Sequence, residues 1–360
     1  MAPKALYVHI PFCQSICAYC DFPKVIYRQS WAESYLSALF DEIDSKQIGR
    51  VETIYVGGGT PSSLPAPLLN ALLAKLSPLL ARGGEFSFEA NPESLSEEKI
   101  ALLARYGVNR VSLGVESSLP KFLKMMGRRH DFQDAKKAVA MLKKDGIGNI
   151  NADFIYCLPG ETMEDLHHEE EAFLSLGVPH ISAYTLILED GTLFKAEGKK
   201  EAGEDEQAEQ YEEVLSFFRR NGFHRYEVSN FARPGMECRH NLAYWRDEEY
   251  YGVGMGASGF ANGIRYQNTR SLSSYLKREG LALNQEKSGE EEFLLSNLRL
   301  EEGFALENFQ SRFGCSFEEK YETAFEKMAK EGLLTRENGR IIPTDKGIEC
   351  LDYVLLSLML

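Results

Sequence analysis

Six short β-rich runs, each followed by a turn and then by an amphipathic stretch or another break, leave this 360-residue chain few folds to choose from. The runs are Leu6–Ile10, Thr53–Val56, Glu85–Ala90, Arg110–Val115, Asn151–Tyr156 and His180–Thr185. Between them lie helical patterns at Trp31–Lys46, Leu68–Leu80, Glu97–Tyr106, Asp134–Lys144 and Met163–Leu176. Alternating strand and helix patterns imply parallel strands joined by helical crossovers. The expected fold class is therefore α/β, an open, partial (β/α)6 barrel. In such barrels the chemistry sits at the C-terminal ends of the strands.

The alternation stops after Phe223. The Glu/Lys-rich run Lys195–Glu213 reads as a solvated helix face or loop, and the Gly-rich stretch Tyr251–Gly263 as loops or short strands. From Glu291 helices are expected, then strand, turn and strand through Leu333–Thr335, Glu337-Asn338-Gly339 and Arg340–Ile342, then a helix from Asp345. That order resembles a mostly helical, winged-helix-like module. We expect a barrel over 1–225, a connecting region over 226–288 and a C-terminal domain over 289–360. Winged helices often bind DNA, but the formal net charge is -14. Nucleic-acid affinity draws on Lys and Arg, so a supporting or lid role fits better and no nucleic-acid partner is expected. No run approaches the ~18 apolar residues of a membrane span, and the N-terminus is too short and polar for a signal peptide. The apolar end Tyr353–Leu360 reads as a helix packed on the core. The location expected is cytoplasmic, with no transmembrane segment and at most peripheral membrane contact.

Three of the seven cysteines fall within eight residues, Cys13, Cys17 and Cys20, spaced C-x3-C-x2-C. An odd count with this clustering fits a reducing compartment and metal binding better than a disulfide framework. Three thiolates on one short loop can reach three corners of an iron–sulfur cubane, leaving one iron open. A zinc site is the alternative. It needs a fourth ligand, no second C-x2-C lies nearby, and His9 sits in a strand-like run where alternation accounts for it.

The spacing, preceded by Tyr7-Val8-His9-Ile10-Pro11-Phe12, resembles the radical S-adenosylmethionine (SAM) superfamily, and YVHIPFC…CAYCDF resembles its oxygen-independent coproporphyrinogen III oxidase-like group. The resemblance implies a [4Fe-4S] cluster on Cys13, Cys17 and Cys20 as metal ligands. It also implies SAM on the open iron and, in principle, reductive cleavage of SAM to a 5′-deoxyadenosyl radical. Matched position by position, it implies SAM contacts at Tyr7, Tyr19, Gly58, Gly59, Thr60, Glu89, Glu116, Arg128 and Asp153. Glu116 departs from the group, which usually carries Gln there. Leu158-Pro159-Gly160-Glu161-Thr162 matches a group signature and reads as a strand-to-helix turn.

Two features separate branches of the group. The oxidases usually carry a further cysteine, as C-x3-C-x2-C-x-C, where this chain has Asp21 and Phe22 after Cys20. The string Cys238-Arg239-His240-Asn241-Leu242-Ala243-Tyr244-Trp245 contains H-N-x-x-Y-W, which is similar to the signature of the heme-chaperone branch. That resemblance implies heme bound by His240, with Tyr244 and Trp245 against the porphyrin and Cys238 as a second ligand or attachment point. A buried, hydrogen-bonded His with core aromatics is the plain structural alternative. The expected function is heme binding and transfer to heme-acceptor proteins, with a small-protein electron donor needed for any SAM turnover. The alternative is a coproporphyrinogen III oxidase.

Overall fold

The computed structural model describes residues 2–359, so Met1 and the last residue of the apolar C-terminal run, Leu360, lie outside it. The six expected strands are β1 (Ala5–Ile10), β2 (Val51–Gly58), β3 (Leu80–Ala90), β4 (Arg110–Glu116), β5 (Asn149–Tyr156) and β6 (His180–Thr185). They pair side by side in chain order, all parallel.

The sheet is wider than six strands. Past β6, the strands β7 (His224–Glu227) and β8 (Asn230–Ala232) add antiparallel, with β8 next to β6. On the other side β9 (Tyr250–Val253) joins β1 in parallel. The antiparallel strands β10 (Ser258–Ala261), β11 (Ile264–Gln267) and β12 (Leu283–Lys287) follow it. The Gly-rich stretch is thus mostly sheet. Its glycines are steric: a Cβ on Gly252 would stand 1.8 Å from the Ser258 carbonyl oxygen. The same glycines weaken the strand signal in the sequence.

Side chains alternate sides along a strand, and here the two rows differ in kind. One row is apolar and meets the helices: Ile54 and Val56, Phe86 and Phe88, Val111, Leu113 and Val115, Ile150, Ala152 and Phe154, all in the main core. The other row is polar and faces the barrel lumen: Tyr55, Glu89, Arg110, Ser112, Glu116, Asn151, Asp153 and Ser182. A lumen lined this way is not filled by bulky aliphatics, so it stays open as a cavity. Outside, each helix supplies the matching apolar stripe. Phe132–Lys144 buries Ala135, Ala138, Val139 and Leu142 at i, i+3, i+4 and i+7, and starts at an Asp131/Asp134 capping box.

A second core gathers Phe293, Leu298, Phe304, Phe309, Phe317, Met328, Ile341 and Val354. Around it a three-stranded sheet (Phe304–Ala305, Arg340–Pro343, Leu334–Glu337) packs with helices Leu306–Phe313, Phe317–Lys330 and Leu351–Met359. Ion pairs tie this unit to the barrel. Asp345 is gripped by Arg219 (2.7 Å) and by fully buried Arg225 (2.5 Å), and Arg312 reaches Asp247 at 2.6 Å.

Candidate functional site

The lumen opens into a cavity of about 420 Å³ at the C-terminal ends of the strands. Its rim carries Cys13, Cys17 and Cys20, its wall the ends of β2 to β6, and its mouth the exposed apolar side chains Phe22 and Ile187.

The cysteine loop is pinned from several sides. Phe12–Cys13 pairs with Val25–Ile26. The Ala18 N–H donates to the Met126 carbonyl, and the Ala18 carbonyl accepts from the Phe194 N–H. Thr60 donates its hydroxyl to Cys13 Sγ at 3.5 Å, and Arg128 places a guanidinium N–H 3.5 Å from Cys17 Sγ. Lys24 hydrogen-bonds the Cys20 carbonyl. Burial, with the neighbouring Cys20 and Cys17, pushes the Cys13 thiol up to about 11. A bound cation and these donors favour the thiolate instead. Three cysteines on one loop suit a cluster whose corners each take one thiolate, whereas a tetrahedral zinc site needs a fourth ligand. His9 offers no fourth ligand: its Nε2–H donates to the Pro23 carbonyl (2.8 Å), and its Nδ1 accepts from the Tyr7 hydroxyl (2.9 Å).

The glycine turn after β2 is shaped by close approach. A Cβ on Gly57 would lie 2.7 Å from a Glu89 carboxylate oxygen, and one on Gly59 would lie 2.8 Å from the Pro11 backbone. Gly58 has φ +117°, and a Cβ there would meet the His9 ring at 2.5 Å. The Gly58 N–H in turn donates to Glu89 Oε2 (2.9 Å), and Tyr55 donates to Glu89 Oε1 (2.8 Å).

Three carboxylates converge across the lumen. Burial raises Glu89 and Glu116, and burial together with the other two acids pushes Asp153 up to about 8. Glu116 sits at φ +65°, a sparsely populated conformation for a residue with a side chain. This twist brings its carboxylate within 3.6 Å of Arg128. Glu in place of the group's usual Gln therefore has a partner here, an ion pair. Arg128 also donates to Asn91 Oδ1 (3.1 Å) and to the Gly114 carbonyl. Acid oxygens and a glycine-bared backbone offer acceptors to an ammonium, and Arg128 offers donors to a carboxylate, the two charged ends of an amino-acid moiety. The donor set thus fits SAM.

Of the residues expected to contact SAM, Tyr19, Gly58, Gly59, Thr60, Glu89, Glu116, Arg128 and Asp153 line this one cavity with the three cysteines. Tyr7 does not. It stands behind Gly58 with its hydroxyl used by His9 and its ring 6.2 Å from that of Tyr55. Tyr55, Arg110, Ser112, Asn151, Ser182 and Tyr184, which no motif marks, also line the cavity. Their signal was present as polar residues at every second position of otherwise apolar strands.

The segment from Cys238 lies at the opposite end of the lumen. Helix Arg239–Trp245 caps the N-terminal ends of β2 and β3. Glu85 accepts from the backbone N–H groups of Arg239 (3.0 Å) and His240 (3.1 Å), satisfying the first turn of the helix. His240 is fully buried. Its Nδ1 is bonded to Thr53 Oγ1 and its Nε2 to the Tyr244 hydroxyl, both at 2.8 Å, while its ring stacks on Tyr55. Burial and the nearby Arg110 hold it neutral, lowered to about 3. Cys238 is fully buried, its thiol pushed up to about 12 and turned toward Glu85 (3.5 Å). Tyr244 packs on Tyr250, and the Arg299 guanidinium lies over the Trp245 ring at 4.4 Å. The four residues expected to meet heme are therefore enclosed in this conformation, and heme reaches them only where the floor helix opens. In this conformation both imidazole nitrogens are taken, the thiol is protonated and enclosed, and the aromatics serve as packing.

His240→Ala is expected to cost the fold about 1–3 kcal/mol, because it leaves Thr53 and Tyr244 without a buried partner. Chemical denaturation of the purified variant measures this.

The description "Radical SAM superfamily" matches residues 7–172, and "HemN C-terminal domain" matches residues 290–349. A heme chaperone HemW of Lactococcus lactis is 42% identical over 99% of this chain and 98% of its own. The chain belongs to the HemW family. A HemW of Bacillus subtilis is 35% identical over 96% of both chains. Among solved structures, the Escherichia coli coproporphyrinogen III oxidase HemN superposes with TM-score 0.85, covering 99% of this chain and 90% of that one. At 22% identity that likeness speaks for the fold alone. Membership of the radical SAM superfamily brings a [4Fe-4S] cluster and SAM as the cofactors. No helix among the described residues is long and apolar enough to cross a membrane.

Proposed function

We propose that this chain binds heme and passes it to acceptor proteins, on a barrel that holds a [4Fe-4S] cluster through Cys13, Cys17 and Cys20 and SAM through the surrounding wall. The observation that carries the reading is the full-length kinship. The relative sharing 42% identity over 99% of the chain is named a heme chaperone, and the kinship spans barrel, floor helix and C-terminal unit alike. Phe22 stands where the oxidases usually place a further cysteine, which weighs against porphyrinogen decarboxylation. The same side chain is 62% exposed at the cavity mouth, with Ile187 at 64%. Exposed large apolar groups rimming a polar site are a means of seating a flat apolar ligand.

In this reading the residues have separate tasks. The glycine turn and Glu89 receive the ammonium of SAM, Arg128 its carboxylate, and Asp153 lies deeper in the lumen. Lys24 and Arg128 offset thiolate charge at the cluster loop. Heme stays outside the lumen, above the rim. The acceptor and any electron donor are proteins of the same compartment, which we take to be the cytoplasm.

Anaerobic hemin titration of the cluster-reconstituted protein, followed by absorption, is the direct test. A saturable Soret shift near one equivalent is expected, together with no conversion of coproporphyrinogen III to protoporphyrinogen IX. Turnover of the porphyrinogen would replace the chaperone reading with the oxidase. The His240→Ala variant is expected to titrate as wild type does. A loss of heme affinity at unchanged stability would show that the floor helix opens to offer its imidazole.

A further inference from the structure

Outside the cavity, helices Met163–Ser175 and Glu204–Arg220 lie against each other. The first presents His167 and Glu170, one turn apart, and the second presents Glu213. One ligand atom from each lies within 4.8 Å of the other two. His167 Nε2 and Glu213 Oε1 are 3.9 Å apart.

Glu170 sets this group apart from an ordinary surface cluster. It has 0% exposure, yet neither carboxylate oxygen has a hydrogen-bond partner among the described residues. Its neighbour Glu169, equally buried, is fully used by Ser117 Oγ and by the Ser118 N–H (2.6 Å). A buried carboxylate without donors carries the full cost of its lost hydration. Arg220 gives it charge at a distance but no hydrogen bond, since that guanidinium pairs with Glu213 at 3.0 Å. Burial and the facing Glu213 push Glu170 up to about 8. The helix bearing it is held in register by a Thr162/Asp165 capping box, so it cannot rotate the acid outward cheaply.

We propose that His167, Glu170 and Glu213 bind one divalent first-row transition-metal cation of the zinc type, which clamps the two helices together. The donor set is one imidazole and two carboxylates. Imidazole favours zinc over magnesium or calcium. Three protein ligands leave a fourth position for water. At bonds of ~2.0 Å the tetrahedral edge is about 3.3 Å, so the side chains close by roughly 1.5 Å or less. His167 and Glu213 are solvent-accessible enough to move that far and to admit the ion. Arg220 then yields Glu213 Oε1 or pairs with its second oxygen.

The test uses cluster-reconstituted protein, so that Cys13, Cys17 and Cys20 are already occupied. Zinc is titrated anaerobically against a chromophoric chelator. One equivalent of tight binding is expected, with a rise of a few degrees in Tm. His167→Ala, a change at an exposed side chain that the fold tolerates, and Glu170→Gln, an isosteric change, are each expected to weaken binding at least tenfold. The Tm rise should vanish in both, with cluster absorption and hemin titration unchanged. Binding of equal strength in wild type and both variants would place the zinc elsewhere and overturn the proposal. So would no binding at about 10 μM free zinc, leaving a protonated Glu170 beside a buried water.

Discussion

Replacing Cys17 by alanine is expected to abolish the visible iron–sulfur absorption while leaving a folded protein. Cys17 is the cysteine to choose, because it is half-buried and its sulfur receives only the Arg128 guanidinium at 3.5 Å. Cys13 is buried and bonded to Thr60, so its loss would confound ligation with packing. With three thiolates the cluster already has one open iron. With two it has no stable seat on this loop, and iron and sulfide should fall to background after reconstitution. Thermal unfolding of the apo variant should stay within a few degrees of the apo wild type. The control is Cys238→Ala, which removes a protonated thiol at the far end of the lumen and should keep the full cluster signal. Persistence of the cluster in Cys17→Ala would mean that a different set of residues holds it.

The second large effect is expected from Gly58→Ala, one added methyl group. The site has φ +117°, and alanine in such a conformation costs about 1–3 kcal/mol before any contact is considered. The methyl would also stand 2.5 Å from a His9 ring that Tyr7 and the Pro23 carbonyl hold in place. The turn must shift, and with it the N–H that Gly58 gives to Glu89. Tm should fall by several degrees, and SAM affinity, read by equilibrium dialysis of cluster-loaded protein, by at least a hundredfold. Gly83→Ala, where no atom lies within 4 Å of the new carbon, tests a left-handed glycine without the clash and should leave SAM affinity intact. Wild-type SAM affinity in Gly58→Ala would remove the glycine turn from the binding site.

Much of this was legible because two periodicities were in the sequence at once. Strand-and-helix alternation gave the six parallel strands in their order, and the motif residues fell at strand ends where a barrel gathers them. The parts that were not legible share a cause, which is that partners distant in sequence decide them. Nothing around Tyr251–Gly263 shows that β9 finds a place beside β1, some 245 residues earlier in the chain. The string from Cys238 to Trp245 looks like a heme site, since His and Cys are competent iron ligands and Tyr and Trp can pack against a porphyrin. Only Thr53 and Glu85, from strands remote in sequence, turn it into a capped and satisfied helix. Glu170 reads as one acid in a run of three, and its burial without a partner is visible only in three dimensions.

The floor helix and the glycine turn share one ring. Tyr55 stacks on His240 below and donates its hydroxyl to Glu89 above. Any event that lifts His240 away frees the Tyr55 ring to tilt, and with it the hydrogen bond that Tyr55 gives to Glu89. Coupling of this kind is reciprocal. Ligand held at the top of the lumen must tighten the floor by the same free energy that opening the floor costs the ligand. A displacement of Glu89 at the top of the lumen and of His240 at its floor would thus meet at the same ring, that of Tyr55.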